Sequence, residues 1–220
     1  MKVIVGGGGF PQFWYAIGFG RALIADRQPS LIAGMSAGSL VAALLVLSDH
    51  SIEDIMDVCV ALVRESRPGA MAKVIKNMMD SLLPPDAHTA ADGHLGIVVS
   101  DPRNGRKCRL ITTWDSRDQL ISCLIASCYI PGFMACDCRW SDPVYNCRDA
   151  LFSSNKEAFK EAFDMKIIRP VVGEGQTWSR CFQSLSVPSA KRAWELAAQG
   201  EKDWKIGQEH ESAPMLQKET

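Results

Sequence analysis

The sequence predicts an α/β layer fold built around one mainly parallel sheet. Its first 48 residues show a strand, turn and helix pattern twice over, and strand and helix segments continue to alternate until about residue 200. Such alternation is typical of sheets whose parallel strands are joined by helices. The chain has 220 residues, 47% of them apolar and 22% charged, which suits one domain with a single core.

The two opening units are predicted from short apolar runs and helical spacing. The β-branched run of residues 1–5 ends at four consecutive glycines, 6–9, and a helix follows from Phe10 to Leu23. The second unit has a short strand at 30–34 and an Ala- and Leu-rich helix that ends near Ser48. The same strand, turn and helix order therefore occurs twice.

The middle of the chain predicts a helix and a hairpin. Ser51 and Asp54 form a capping box at the start of an amphipathic helix. Two β-rich segments, 96–100 and 108–113, flank a turn-like stretch that contains Asp-Pro and Asn-Gly. A β-hairpin is the natural interpretation.

Capping and periodicity predict the later elements. They are a helix after Ser116 that ends before Pro131, a helix at 156–163, a strand at 166–172, and a helix from Ser189 to Gln199 that ends at Gly200. We expect residues 1–206 to form the single domain. Residues 207–220 are polar and aperiodic, so we expect a disordered tail there.

Composition and charge exclude several classes of protein. The formal net charge of -1 gives no electrostatic footprint for nucleic acid. The longest apolar run, 40–47, is far shorter than a membrane span. Cys136 and Cys138 are the one close pair among eight cysteines and have no histidine nearby, so no metal is expected. With no secretory signal at its start, the chain is expected to be cytoplasmic with reduced thiols.

A candidate nucleophile lies in the second unit. Gly34-Met35-Ser36-Ala37-Gly38 has the G-x-S-x-G pattern at the point where a strand meets a helix. A sharp turn leaves no room for side chains at Gly34 and Gly38, and it exposes the Ser36 hydroxyl at the helix N-terminus. The alternative is a serine that only caps a helix.

The glycine loop of the first unit favours the nucleophile over the cap. Acyl transfer through serine needs unobstructed backbone N–H donors for an oxyanion, and Gly7, Gly8 and Gly9 can supply them. A Walker phosphate loop would need Lys-Ser or Lys-Thr next, whereas Phe10-Pro11-Gln12 follows. Nucleotide binding is therefore disfavoured.

The base that would activate Ser36 is left open by the residues alone. None of the four histidines, at positions 50, 88, 94 and 210, lies in the C-terminal loop where a hydrolase triad has its histidine. A carboxylate base is one option, and a triad that uses His88 or His94 is another.

Taken in order, these segments resemble the patatin-like phospholipases, closest to the animal adiponutrin-type branch. The resemblance runs from about Val3 to Asn155. Four blocks carry it: Gly7-Gly8-Gly9-Phe10 with Tyr15 and Gly18, Gly34 to Gly38, Leu83 to His88 with Gly93-His94-Leu95, and Leu120 to Phe133.

The resemblance implies a three-layer α/β/α fold and a lipid acyl hydrolase of the phospholipase A or acylglycerol lipase type. Its serine and aspartate dyad works through an acyl-enzyme without metal or organic cofactor. Carried over, Ser36 is the nucleophile, Asp149 the base, and Gly7, Gly8 and Gly9 the oxyanion hole. The implied partners are phospholipid or acylglycerol substrates, at a membrane or lipid-droplet surface.

One departure from the family pattern motivates an alternative. The family aspartate opens an Asp-Gly-Gly or Asp-Gly-Ala segment, whereas Ala150 and Leu151 follow Asp149. A shift of one residue would put Arg148 in place of the base, with Asp142 or Asp137 as weaker substitutes. The alternative function is a patatin-like pseudoenzyme that binds lipid or protein.

An acyl groove is predicted from apolar residues near the nucleophile in sequence. They are Phe10, Phe13, Trp14, Tyr15 and Met35, and their alternative interpretation is plain core. Phe133, Met134 and Trp140 are candidates for a membrane-facing mouth.

Overall fold

The computed structural model describes residues 1–64, 67, 69–135, 142–167 and 188–212. Within them the chain forms a five-stranded sheet with the spatial order β4-β3-β2-β1-β5. The strands are β1 (Lys2–Val5), β2 (Leu31–Met35), β3 (Leu95–Asp101), β4 (Lys107–Ile111) and β5 (Met165–Ile167).

The sheet is mainly parallel, as the sequence predicts. β2 pairs in parallel with both β1 and β3, and β5 pairs in parallel with β1. β4 is antiparallel to β3 because a tight hairpin joins them. The predicted hairpin is therefore confirmed, and the carboxyl ends of β1, β2 and β3 meet at one edge.

Eight helices lie in the described part of the chain. They are α1 (Gly9–Arg27), α2 (Ala37–Leu47), α3 (Ile52–Arg64), α4 (Met71–Leu82), α5 (Ala87–Ala90), α6 (Arg117–Ser127), α7 (Lys156–Lys160) and α8 (Ala190–Ser212). Both predicted caps are present: Ser51 Oγ accepts the Asp54 N–H at 3.1 Å, and Ser116 Oγ accepts the Gln119 N–H at 3.2 Å.

The two faces of the sheet belong to separate apolar clusters. Val3, Val5 and Ile97 point into the larger cluster, to which all the helices except α7 contribute. The alternating residues Ile4 and Val98 point into the smaller one, with residues from the segment that contains α7. The architecture is thus three-layered, α/β/α.

The end of α8 corrects a prediction. Gly200 was expected to end this helix, but the helix continues to Ser212. A Cβ on Gly200 would lie 2.1 Å from the carbonyl oxygen of Tyr15. A Cβ on Gly18 would lie 1.9 Å from the carbonyl oxygen of Ala197. Gly200 is therefore a close-contact residue between α1 and α8 rather than a helix cap.

Other element boundaries also differ from the prediction. α7 ends at Lys160 instead of residue 163, and α4 was not predicted. The predicted strand at 166–172 is described only up to Ile167. The predicted domain boundary at 206/207 falls inside α8, and residues 213–220 lie outside the described ones, so the tail stays a prediction.

Among the described residues, no helix combines the length and the apolar character that crossing a membrane requires.

Candidate active site

Ser36 lies between β2 and α2 in a backbone conformation that is rare for a residue with a side chain. Its φ is 55° and its ψ is -137°. A Cβ on Gly34 would lie 2.2 Å from the Gly38 oxygen, and a Cβ on Gly38 would lie 2.3 Å from the Val5 oxygen. Both flanking glycines are thus required by close backbone packing, as the sequence predicts for this turn.

Three hydrogen bonds hold the strained backbone of Ser36. Its N–H donates to Ser127 Oγ at 3.0 Å. Its carbonyl oxygen accepts from both the N–H and the hydroxyl of Ser39, at 2.8 and 2.7 Å. Ser127 in turn donates to the Val98 carbonyl at 2.7 Å, which ties α6 and the turn to β3.

Asp149 is fixed at the same edge of the sheet by its backbone. The residue before it, Arg148, exchanges two backbone hydrogen bonds with Ser100 of β3, at 2.8 and 3.1 Å. The Asp149 N–H donates to the Tyr129 carbonyl just after α6. Its carboxylate accepts the Leu151 N–H at 2.7 Å, which opens a short 3-10 turn. The carboxyl group is therefore positioned from both sides.

Ser36 and Asp149 meet through their side chains. Asp149 is 2% exposed, and burial raises the pKa of its carboxyl from the ordinary 3.8 to about 6. Hydrogen bonds from the Ser36 side chain and the Leu151 amide oppose this rise, as does the charge of Lys156. A carboxylate with a pKa near neutrality, beside a hydroxyl, can accept its proton.

Arg148 and Asp142 are not alternatives to Asp149 in this geometry. The Arg148 guanidinium lies over the Phe152 ring, with Cζ 5.5 Å from its centroid. The Asp142 carboxylate accepts the N–H groups of Val144 and Tyr145 within its own turn. Asp137 lies outside the described residues.

The glycine loop lies against the candidate nucleophile. A Cβ on Gly7 would be 2.7 Å from the Ser36 Cβ and 3.4 Å from its Oγ. Gly9, with φ of 67°, begins α1, whose first N–H groups have no partner within the helix. In the described part of the chain, no backbone carbonyl accepts from the N–H of Gly7 or Gly8. With respect to the described residues, the loop therefore offers free N–H donors beside Ser36.

His88 and His94 lie at the end of the sheet opposite to Ser36. His94 precedes β3, and the Ile32 N–H of β2 donates to its carbonyl, whereas Ser36 follows the other end of β2. His88 lies in α5, also before β3. His50 follows the far end of α2. The side chain of His210 lies outside the described part.

A predominantly apolar groove opens on Ser36. Its lining residues come from α1 to α4, from the turn before α2 and from the segment that follows α6. They are Gly9, Phe10, Phe13, Ser36, Ala37, Leu40, Val63, Met71, Ile75, Met78, Cys128, Ile130, Phe133 and Met134.

The groove only partly matches the sequence prediction. Phe10 and Phe13 line it, but Trp14, Tyr15 and Met35 are buried elsewhere in the core. The lining from α3 and α4 was missed, because its helical periodicity equals that of ordinary core residues. Phe133 and Met134 belong to the groove, while Trp140 lies outside the described residues.

Cys128 is the other residue of the groove, besides Ser36, whose side chain is of a type that can act as a nucleophile. Burial, and then the charge of Asp149, raises the pKa of its thiol far above the ordinary value. Since the thiolate is the nucleophilic form, Cys128 stays an inert thiol near neutral pH. Within the described ranges, no three His, Cys, Asp or Glu side chains cluster as metal ligands do; Cys136 and Cys138 lie outside them.

Comparisons with known proteins agree with one another on a family. A family model described as patatin-like phospholipase matches residues 3–157. Patatin-like phospholipase domain-containing protein 4 of Homo sapiens is 31% identical over 121 residues, which are 51% of this chain and 47% of that protein.

Two further relatives carry the name 1-acylglycerol-3-phosphate O-acyltransferase. The Mus musculus protein Pnpla3 is 28% identical over 58% of this chain and 33% of its own length. The Homo sapiens protein PNPLA3 is 28% identical over 58% of this chain and 29% of its own length. The chain thus spans less than half the length of each of these three curated relatives.

Proposed function

The chain belongs to the patatin-like phospholipase family, and from this premise we propose that it is a serine-dependent lipid acyl hydrolase. The observation that most supports the proposal is the interaction of the Ser36 side chain with the buried Asp149 carboxyl. A hydroxyl is a weak nucleophile unless an adjacent base removes its proton. Asp149, with a pKa raised to about 6, is suited to that role near neutral pH.

The first half of the reaction forms an acyl-enzyme. Ser36 Oγ attacks the ester carbonyl while its proton moves to Asp149. The carbonyl oxygen becomes an oxyanion, which the N–H groups of Gly7, Gly8 and Gly9 stabilise. The ester C–O bond then breaks, and the leaving alcohol takes the proton from Asp149.

The second half releases the acyl group. Water attacks the acyl-Ser36 ester and gives its proton to Asp149, and the second oxyanion is held by the same loop. Cleavage of the bond to Ser36 Oγ frees the fatty acid and returns the proton to Ser36. No metal or organic cofactor takes part in these steps.

The proposed substrates are phospholipids or acylglycerols. An acyl chain fits the groove because, apart from Ser36 and Cys128, the lining residues carry apolar side chains or none. Lipid esters of this kind reside in membranes and lipid droplets, so we propose that the protein works at such a surface as a peripheral, cytoplasmic enzyme.

A fluorophosphonate probe tests the proposal directly. The probe reacts only with an activated serine, so wild type should be labelled at Ser36 and should hydrolyse a short-chain p-nitrophenyl ester. Ser36→Ala should lose both, with an unchanged far-UV spectrum. Absence of labelling in wild type, with lipid still retained in a pull-down, would favour the pseudoenzyme alternative.

Acyl transfer to an alcohol is a second candidate, supported by the apolar lining of the groove. An acyl-enzyme shielded from water lives long enough to meet a lipid hydroxyl as acceptor. The names of the mouse and human relatives point to the same chemistry for those proteins. Incubation with an acyl donor and a lysophospholipid distinguishes the two: hydrolysis yields free fatty acid, whereas transfer yields the diacyl product.

A further inference from the structure

The Arg148 side chain is buried and has no hydrogen-bond or ion-pair partner among the residues that the structure describes. It is 8% exposed, and its Nε is fully enclosed and unbonded. Its guanidinium forms no hydrogen bond or ion pair with any described residue, and it lies over the face of the Phe152 ring. Buried charges in proteins are normally paired because an isolated one is costly to desolvate. The pattern therefore indicates a missing anion.

A second polar group beside Arg148 also lacks a partner. Ser100 and Arg148 exchange both backbone hydrogen bonds, so their side chains lie on the same face of the sheet. Ser100 is fully buried, and its Oγ has no hydrogen-bond partner in the described chain. Two neighbouring donors thus lack an acceptor at one place.

Positive charge lies around these two residues. After burial, the charge of Arg106 is the next cause that lowers the pKa of Arg148, so the positive charge of Arg106 acts on the Arg148 guanidinium. The Ser154 N–H donates to the Arg106 carbonyl at 3.0 Å, which brings the segment that leads into Lys156 alongside. Neither Arg106 nor Lys156 forms an ion pair with any described residue.

The nearby carboxylates are already committed elsewhere. Asp101 pairs with Arg103 at 3.1 Å and with Arg109 at 3.7 Å. Asp149 contacts Ser36, and its side chain and that of Arg148 leave an extended backbone in opposite directions. An external anion is the partner that would neutralise the charge of Arg148.

We propose that Arg148 and Arg106 bind a phosphate group at the carboxyl edge of the sheet, on the face that carries the Ser100 side chain. The planar guanidinium fork matches the spacing of phosphate oxygens, and two such groups suit a doubly charged anion. The carboxyl edge of a parallel sheet is also where α/β folds bind ligands. The lipid origin of that phosphate rests on the proposed function and names a phosphate-bearing lipid as the ligand; the anion site itself does not depend on it.

The test measures binding by calorimetry and is independent of turnover. Inorganic phosphate is titrated into wild type, Arg148→Gln and Arg106→Gln, with Arg192→Gln on α8 as a control of equal charge change. Dibutyryl phosphatidic acid and dibutyrylglycerol are titrated into Ser36→Ala, with and without Arg148→Gln, so that hydrolysis does not interfere.

We expect saturable phosphate binding whose dissociation constant rises roughly tenfold or more in Arg148→Gln and Arg106→Gln, with no change in Arg192→Gln. The melting temperature of Arg148→Gln should stay level or rise, since it loses an unpaired buried charge, whereas a structural arginine would lower it.

The lipid arm separates the two sources of phosphate. Tighter binding of dibutyryl phosphatidic acid than of phosphate, lost in Arg148→Gln, assigns the site to a lipid headgroup; equal affinity assigns it to free phosphate. Equal phosphate affinity in wild type, Arg148→Gln and Arg106→Gln would overturn the proposal, as would no saturable binding in wild type. If the protein binds phosphate through Arg148 but has no esterase activity, the hydrolase proposal is rejected and the phosphate site stands.

Discussion

The backbone N–H of Ser36 is bonded to the Ser127 hydroxyl oxygen at 3.0 Å, and that hydroxyl donates to the Val98 carbonyl at 2.7 Å. Ser127 is fully buried, so neither bond competes with water. These two hydrogen bonds therefore link the strained turn to β3. They hold the Ser36 backbone in a conformation that costs free energy when unsupported.

We expect Ser127→Ala to lower kcat about tenfold or more while changing KM little. The mutation leaves a buried N–H and a buried carbonyl without partners, so the free energy of unfolding should fall by about 1–3 kcal/mol. Steady-state kinetics on a short-chain ester and urea unfolding provide the measurements. Ser48→Ala, at a buried serine beyond the far end of α2, is the matched control and should keep its kcat. A purely structural role for Ser127 would leave kcat per folded molecule unchanged.

Asp149→Asn should abolish hydrolysis and stabilise the fold at pH 7. The folded-state pKa is raised, so the carboxyl adds most stability below pH 3.8 and loses it as the pH rises to about 6. A rise from 3.8 to about 6 corresponds to a penalty of about 3 kcal/mol above that pH. Asparagine carries no such penalty.

Urea unfolding at pH 4 and pH 7 measures this effect. Relative to wild type, the free energy of unfolding of Asp149→Asn should be much higher at pH 7 and only slightly higher at pH 4. Asp142→Asn serves as the control for activity, because among the described residues its carboxylate accepts the N–H groups of its own turn. An Asp149→Asn variant that is less stable than wild type at pH 7 contradicts the burial argument.

The pH dependence of kcat/KM follows from the same carboxyl group. Only the ionised form accepts the Ser36 proton, so activity should fall as the pH drops below about 6. The decline should approach a slope of about tenfold per pH unit and level off above neutrality. The measurement uses an ester whose hydrolysis is followed across pH 4.5–8, with unfolding monitored at each pH. A decline in kcat/KM centred near pH 4 would show that Asp149 is not the titrating base.

The elements that the sequence predicted well are those with local signals. The two glycine turns, the Ser51 and Ser116 caps and the hairpin depend on neighbouring residues, and the structure contains all of them. α4 and the end of α8 depend on packing between remote segments, such as the contact of Gly200 with α1. Local periodicity does not report such contacts.

The candidate site divides in the same way. Ser36 is identified by the pattern around it, but its partner comes from a distant loop without the expected glycines. The backbone bonds of Arg148 to Ser100, and of Asp149 to Tyr129, set which residue faces the serine. Those bonds join segments far apart in the chain, so spacing alone left two alignments open.

Gly7→Ala should reduce the rate about a hundredfold or more. The new Cβ would lie 2.7 Å from the Ser36 Cβ, so either the loop or the nucleophile must move. Displacing an oxyanion donor typically costs about 3 kcal/mol of transition-state stabilisation. Gly207→Ala is the control: its Cβ meets nothing within 4 Å, and alanine favours the helix. Unchanged kcat in a folded Gly7→Ala variant would remove the loop from the mechanism.

Met78→Trp should shorten the acyl chain that the protein accepts. Met78 lies on α4 and lines the groove while being 2% exposed, so a larger side chain there takes up space that an acyl tail would use. We expect kcat/KM for a palmitoyl ester to fall at least tenfold while that for a butyryl ester changes little, because one lost methylene contact already costs about 1 kcal/mol. Lys76→Trp is the matched control, since its side chain is 52% exposed on the same helix. Equal losses for both esters in Met78→Trp would mean that the acyl chain does not occupy this groove.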